Sequence, residues 1–142
     1  MSHHDPDDAA LARVPIFAGL GDKELHAVRR LMTRIDIEPD FVLARQGAYG
    51  NEFFVVLSGT AKVERDGEVV AEVGPGDFQG EMSLLDGGPR TASVIATTPM
   101  TILVANHAEF NSLLETTPMV ARQMLPAIVA RLRALAGDAH DL

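Results

Sequence analysis

Between Thr33 and Val104 the chain is cut into short β-branched and aromatic runs: TRIDI, FVLAR, EFFVVL, TAKVER, EVVAEV, TASVIAT and MTILVA. Gly, Pro and Asp separate them about every 8 to 12 residues, the rhythm of an all-β roll or sandwich. Asp66-Gly67, between KVER and EVVAEV, reads as a two-residue hairpin turn, because both residue types tolerate positive φ. Gly47, Gly59, Gly74 and Gly76 fall at other corners of the same pattern.

Helical signals flank this region. A short helix is expected around residues 8–14, followed by the turn VPIFAGL and a helix from Asp22, as N-cap, to about Met32. Leu25, Val28, Leu31 and Met32 recur there at helical spacing and should face a core. After the strands, Asn106-His107-Ala108-Glu109 has the form of a capping box, opening a helix that buries Phe110, Leu113 and Leu114. Thr117-Pro118 starts a longer helix with the apolar stripe Leu125, Ile128, Leu132 and Leu135, basic residues Arg131 and Arg133 near its end, and Gly137 as its stop. Pro126 interrupts that stripe and predicts a kink. Residues 1–8, MSHHDPDD, carry nothing to bury and read as a disordered tail, leaving one domain over 9–137 and a second tail over 138–142.

At 142 residues the chain suits one domain that buries a core unaided. The N-terminus lacks the pattern of a signal peptide and no apolar run reaches the ~18 residues of a membrane span, so a cytoplasmic protein with no membrane partner is expected. Without cysteine there is no disulfide, thiolate metal site or cysteine nucleophile. Twelve Lys and Arg against 20 Asp and Glu give a formal net charge of −8, which repels a polyphosphate backbone. Direct nucleic-acid binding is not expected, and an anionic ligand must be small and met by local donors.

The five histidines, at positions 3, 4, 26, 107 and 140, all lie outside the strand region. A cupin-like metal enzyme needs them on neighbouring strands, and a serine nucleophile needs one as base, so neither metal nor enzymatic activity is expected. His3 and His4 have no third ligand placed to complete a site. GPGDFQGE spaces its glycines as GxGxxxG with no βαβ unit around it, which is not a dinucleotide fingerprint, and no Walker A sequence occurs.

What remains is GEMSLLDGGPRTASV, residues 80–94. If EMSLL forms one helical turn after Gly80, its first N–H groups point outward unpaired and make a small anion site. Arg90, delivered by the turn Asp86-Gly87-Gly88-Pro89, adds a planar fork of donors suited to two phosphate oxygens. Glu81 would accept from a ribose hydroxyl, as acidic residues do in other nucleotide sites. A surface salt bridge for Arg90 and a helix-start carboxylate for Glu81 are the plain structural alternatives.

With Phe78 and Gln79 the segment resembles the phosphate-binding cassette of the cyclic nucleotide-binding domain family, which includes the bacterial cAMP receptor protein and protein kinase A regulatory subunits. The FAGL turn, the RQG corner, FFVVLSGTAKV, the GPGD turn and the last helices are similar too, over roughly residues 12–136. The resemblance implies an α+β chain, mainly β: an eight-stranded jelly-roll β-roll with N-terminal helices and two C-terminal helices. It implies no catalysis and a cyclic nucleotide ligand, cAMP ahead of cGMP, with no metal. Gly80 and Glu81 would then hold the ribose 2′-hydroxyl and Arg90 the cyclic phosphate. Backbone groups of Met82, Ser83 and Thr91 would complete the cradle, with Ala92 following in the motif. Val63, Val70 and Ala71 would line the base pocket, although plain core residues would look the same. Thr91 favours cGMP in some relatives and leaves the purine open. Residues 118–136 would act as a lid, with Arg122, Met124, Arg131 and Leu132 as candidates to cap the base. The expected partner is a protein effector, reached in trans or fused in a longer chain, with a homodimer through the last helix a further option. A non-binding scaffold of the same fold is the alternative function.

Overall fold

In a computed structural model that describes residues 6–139, the strand runs form β1 (Thr33–Ile37), β2 (Val42–Ala44), β3 (Glu52–Ser58), β4 (Ala61–Arg65), β5 (Glu68–Val73), β7 (Ser93–Ala96) and β8 (Met100–Asn106). An eighth strand, β6 (Phe78–Gln79), is only two residues long. They make two four-stranded antiparallel sheets, ordered β1-β8-β3-β6 and β2-β7-β4-β5, the jelly-roll anticipated above. The helices are α1 (Pro6–Leu11), α2 (Asp22–Leu31), α3 (Glu81–Asp86), α4 (His107–Thr116) and α5 (Pro118–Ala139), with a 3-10 turn at Pro15–Phe17.

EFFVVL explains how the layers hold together. Side chains alternate faces along a strand, and here both faces are buried. Phe54 and Val56 enter the interior of the roll with Val63, Val94, Ile102 and Val104. Phe53 and Val55 enter a second core with Leu11, Phe17, Val28, Leu103, Phe110, Leu113 and Met124, under the helices. Phe53 packs between Phe78 and Phe110 in tilted arrangements, at centroid distances of 5.8 and 4.8 Å. The sheet carrying β3 is thus covered on both sides, and the helices are fastened to its outer face.

Local signals set the turns and caps. Asp66 (φ 55°) and Gly67 (φ 82°) both take the left-handed conformation that a primed hairpin turn demands. The Asn106 side chain accepts from Glu109 N–H at 2.8 Å while Glu109 Oε1 accepts from Asn106 N–H at 2.8 Å, a reciprocal cap worth about 1 kcal/mol. Leu25, Val28 and Met32 are buried as expected, with Leu31 packed against them.

Four expectations about the helices are corrected. The first helix spans Pro6–Leu11, not 8–14, because the chain turns over residues 12–14 and Val14 is extended as the N-cap of the 3-10 segment that follows. Gly21, not Asp22, is the N-cap of α2; its N–H donates to Glu24 Oε1 at 3.3 Å. Gly137 does not stop α5, which runs on to Ala139; glycine weakens a helix interior by about 1 kcal/mol without ending it. The stripe on α5 is also rotated. Val120 and Met124 are buried and Ile128 half-buried, whereas Leu125, Val129 and Leu132 are exposed. The inward face is chosen by packing on α4 and on the 3-10 turn, where Gln123 Nε2 donates to Ala18 O at 2.8 Å. Pro126 lies within this helix, its side chain exposed. His3, His4, His140 and most of the predicted tails lie outside the described residues.

Candidate functional site

β6 is followed by Gly80, whose φ of 95° is open to glycine far more readily than to other residues. A Cβ there would overlap the Glu52 carbonyl and lie 2.7 Å from Arg90 Nη1. The main chain itself therefore requires glycine at this point, independently of any ligand. The chain then turns into α3, leaving the first N–H groups of that helix without intrahelical partners.

The end of α3 is closed by Gly87 (φ 72°), whose N–H donates to Ser83 O at 2.9 Å, and by Asp86 Oδ1, which accepts from Gly88 N–H at 2.8 Å. This compact turn delivers Arg90 to the β2–β3 loop. Arg90 N–H donates to Ala48 O at 2.8 Å, and Arg90 O accepts from Gly47 N–H at 2.9 Å. The guanidinium then turns inward: Nη2 donates to Glu52 O at 2.8 Å and Nη1 to Gly80 O at 3.2 Å. Arg90 is 8% exposed. Burial pulls its pKa below the ordinary arginine value, and the carboxylates of Glu52 and Glu81 oppose that pull. Arginine keeps its charge under such conditions, and its five donors exceed what two carbonyls occupy.

Glu81 lies at the first position of α3, where the helix dipole favours a negative charge, and is 1% exposed. Its Oε1 pairs with Nη1 of Arg131 from α5. Arg131 Nη2 also donates to Phe78 O at 2.6 Å, and its guanidinium sits 4.5 Å from the centroid of the Phe78 ring. α5 is thereby pinned over the segment that carries Glu81.

These groups border one cavity of about 340 Å³, large enough for a small ligand. All ten residues singled out in the sequence line it: Gly80, Glu81, Met82, Ser83, Arg90, Thr91 and Ala92 from the cassette, and Val63, Val70 and Ala71 from β4 and β5. The other walls come from Ala44, Arg65, Gln79, Val94, Arg131, Ala134 and Leu135. Among the four α5 side chains considered for capping, Arg131 alone borders the cavity. Met124 is buried in the helical core, and Arg122 and Leu132 are exposed. Glu52, which orients Arg90 through its carbonyl, carried no sequence signal, because any residue supplies that atom. Among the described residues no group of three or more His, Cys, Asp or Glu side chains could hold a metal ion, and no helix is long and apolar enough to cross a membrane.

The profile of the cyclic nucleotide-binding domain matches residues 34–117, from β1 to the end of α4. The chain belongs to the cyclic nucleotide-binding domain family. The domain is 28% identical over 140 residues to a CRP-like cAMP-activated global transcriptional regulator of Mycobacterium tuberculosis, covering 95% of this chain and 62% of that protein. It is 36% identical over 109 residues to a cAMP-dependent protein kinase regulatory subunit of Yarrowia lipolytica, covering 75% of this chain and 29% of that one. The Thermus thermophilus catabolite activator protein superposes with a TM-score of 0.78 at 29% identity, over 88% of this chain and 61% of that one. The cyclic nucleotide-binding domain thus spans less than two thirds of these relatives.

Proposed function

We propose that this domain is a receptor module for a cyclic nucleotide, cAMP ahead of cGMP, that signals through α5. The observation carrying the reading is the opposition of Arg90 and Glu81, buried groups of opposite charge on the wall of one cavity. The cyclic phosphate would lie against Arg90 and the N–H groups of Met82, Ser83 and Thr91, and the ribose hydroxyl against Glu81 and Gly80. The base would extend along Val63, Val70, Ala71 and Ala92. The relatives named for cAMP support that nucleotide, while the exposed Thr91 hydroxyl keeps cGMP as the second reading. The non-binding scaffold is disfavoured by the retention of both charged groups.

Because Arg131 holds the carboxylate that the ribose would use, a bound nucleotide acts directly on the contact that pins α5. A ligand shifts the position of α5 only by the difference in its affinity for the two states. The domain would act without catalysis, in the cytoplasm, on a protein effector. Calorimetric titration of nucleotide-free protein is expected to give a dissociation constant well below about 1 mM, roughly −4 kcal/mol, for cAMP and a weaker one for cGMP. Binding of neither rejects the receptor reading, and the reverse order corrects the nucleotide.

The exposed stripe Leu125, Val129 and Leu132 is the surface proposed for a second copy of the chain. Sedimentation velocity is expected to show a dimer that Leu132→Glu converts to monomer, since an unpaired buried charge opposes association. A monomeric parent protein at ~100 μM would remove this part of the proposal.

A further inference from the structure

We infer that Gly50, in the β2–β3 loop, is the positioning residue for the phosphate-binding arginine. Gly50 does not border the cavity, so it acts on a ligand only through another group. That group is Arg90. A Cβ built on Gly50 would overlap Arg90 Nε, stand 2.5 Å from Nη2 and 2.7 Å from Cζ. The guanidinium lies flat across the bare Cα, close enough that even a methyl group must displace it.

The backbone at Gly50 is not the reason for glycine. Its φ lies outside the left-handed region, unlike that of Gly47 (φ 83°) in the same loop. An alanine at position 50 is therefore free of backbone strain, and the group it meets is the far end of a flexible side chain. The fold can yield there, and the guanidinium moves when it does.

The rest of the loop shows what that movement would undo. Gly47 and Ala48 hold the Arg90 backbone from both sides, and Glu52 O receives Nη2. The loop is itself tied down: Gln46 N–H donates to Ser93 Oγ at 2.8 Å, and the Gln46 side chain exchanges two hydrogen bonds with Asp66, at 2.9 and 2.8 Å. The arginine is thus anchored at its backbone and aimed by its tip, with Gly50 providing the space between. This inference rests on the receptor reading above for the identity of the ligand, and on geometry alone for the placement.

The test uses Gly50→Ala, Arg90→Ala and the double variant. Gly50→Ala is expected to weaken cAMP binding by about tenfold or more in calorimetry, while the ligand-free protein melts within about 5 °C of the parent. In ligand-free protein the Arg90 Nε–Hε resonance, assigned by its loss in Arg90→Ala, is expected to shift in Gly50→Ala. In the Arg90→Ala background there is no guanidinium to displace, and the added methyl should leave the melting temperature unchanged. An unmoved resonance overturns the placement. An equal loss of stability in both backgrounds does so too, because a glycine needed only for its turn behaves that way. Parent protein that binds neither cAMP nor cGMP refutes the receptor reading instead. The arginine resonance then still decides the placement.

Discussion

Arg90→Ala is expected to weaken cyclic nucleotide binding by about 30-fold or more while the protein stays folded. Removing one partner of a desolvated, hydrogen-bonded charge pair costs about 2–5 kcal/mol, and even the lower half of that range gives tens to hundreds of fold in affinity. The effect on the empty protein is of another size. The variant loses the hydrogen bonds to Glu52 O and Gly80 O, which costs about 1–2 kcal/mol. It is also relieved of the desolvation that lowers the Arg90 pKa, and Gly80 already borders the cavity. A loss of roughly 2–6 °C in melting temperature is therefore expected for a domain of this size. This cost has no sequence signature, since both acceptors are backbone carbonyls. Arg90→Lys should fall between parent and alanine, because a point charge replaces a planar fork. Calorimetry with cAMP alongside thermal melts separates the terms. A collapse of the fold with little change in affinity per folded molecule would make the arginine structural.

What the sequence disclosed follows the range over which each signal acts. The hairpin at Asp66-Gly67 and the cap at Asn106 depend on a few adjacent residues, and both stand where their chemistry places them. EFFVVL and MTILVA are short enough for strands, and the continuous apolar runs within them, FFVVL and ILVA, reflect burial on both faces. β6 escaped because two residues carry no periodicity. The orientation of α5 escaped for a different reason: apolar residues surround much of that helix, so period alone could not say which side the 3-10 turn and α4 would cover. The cassette was legible as residue types, with Gly80, Glu81 and Arg90 close together in the chain. The groups that aim Arg90 were not, since a backbone carbonyl at Glu52 and a missing Cβ at Gly50 have no side-chain signature.

The pairing of Glu81 with Arg131 bridges 50 residues of sequence, beyond any local pattern, and yields the second large expected effect. Val120 and Met124 anchor the first half of α5 by burial, whereas beyond Ile128 Arg131 bonds to Glu81 and Phe78, and Ala134 and Leu135 border the cavity. Arg131→Ala removes the ion pair, the hydrogen bond to Phe78 O and the stacking over the Phe78 ring together. The Arg131 side chain is 29% exposed and that of Glu81 2%, so part of the ion-pair attraction is screened, and about 1–2 kcal/mol is a reasonable sum. Every 1.4 kcal/mol is tenfold in an equilibrium, so amide hydrogen exchange across residues 130–139 should quicken about tenfold while that of residues 118–126 barely changes. Adding cAMP should alter exchange in residues 130–139 of the parent protein, because in the proposed binding mode the ribose would engage the same carboxylate, and should lose most of that effect in Arg131→Ala. Exchange that rises evenly along α5 would show that the helix is held by burial throughout. A nucleotide response that survives in Arg131→Ala would place the link between pocket and helix elsewhere, with Ala134 and Leu135 the remaining α5 residues on the cavity wall.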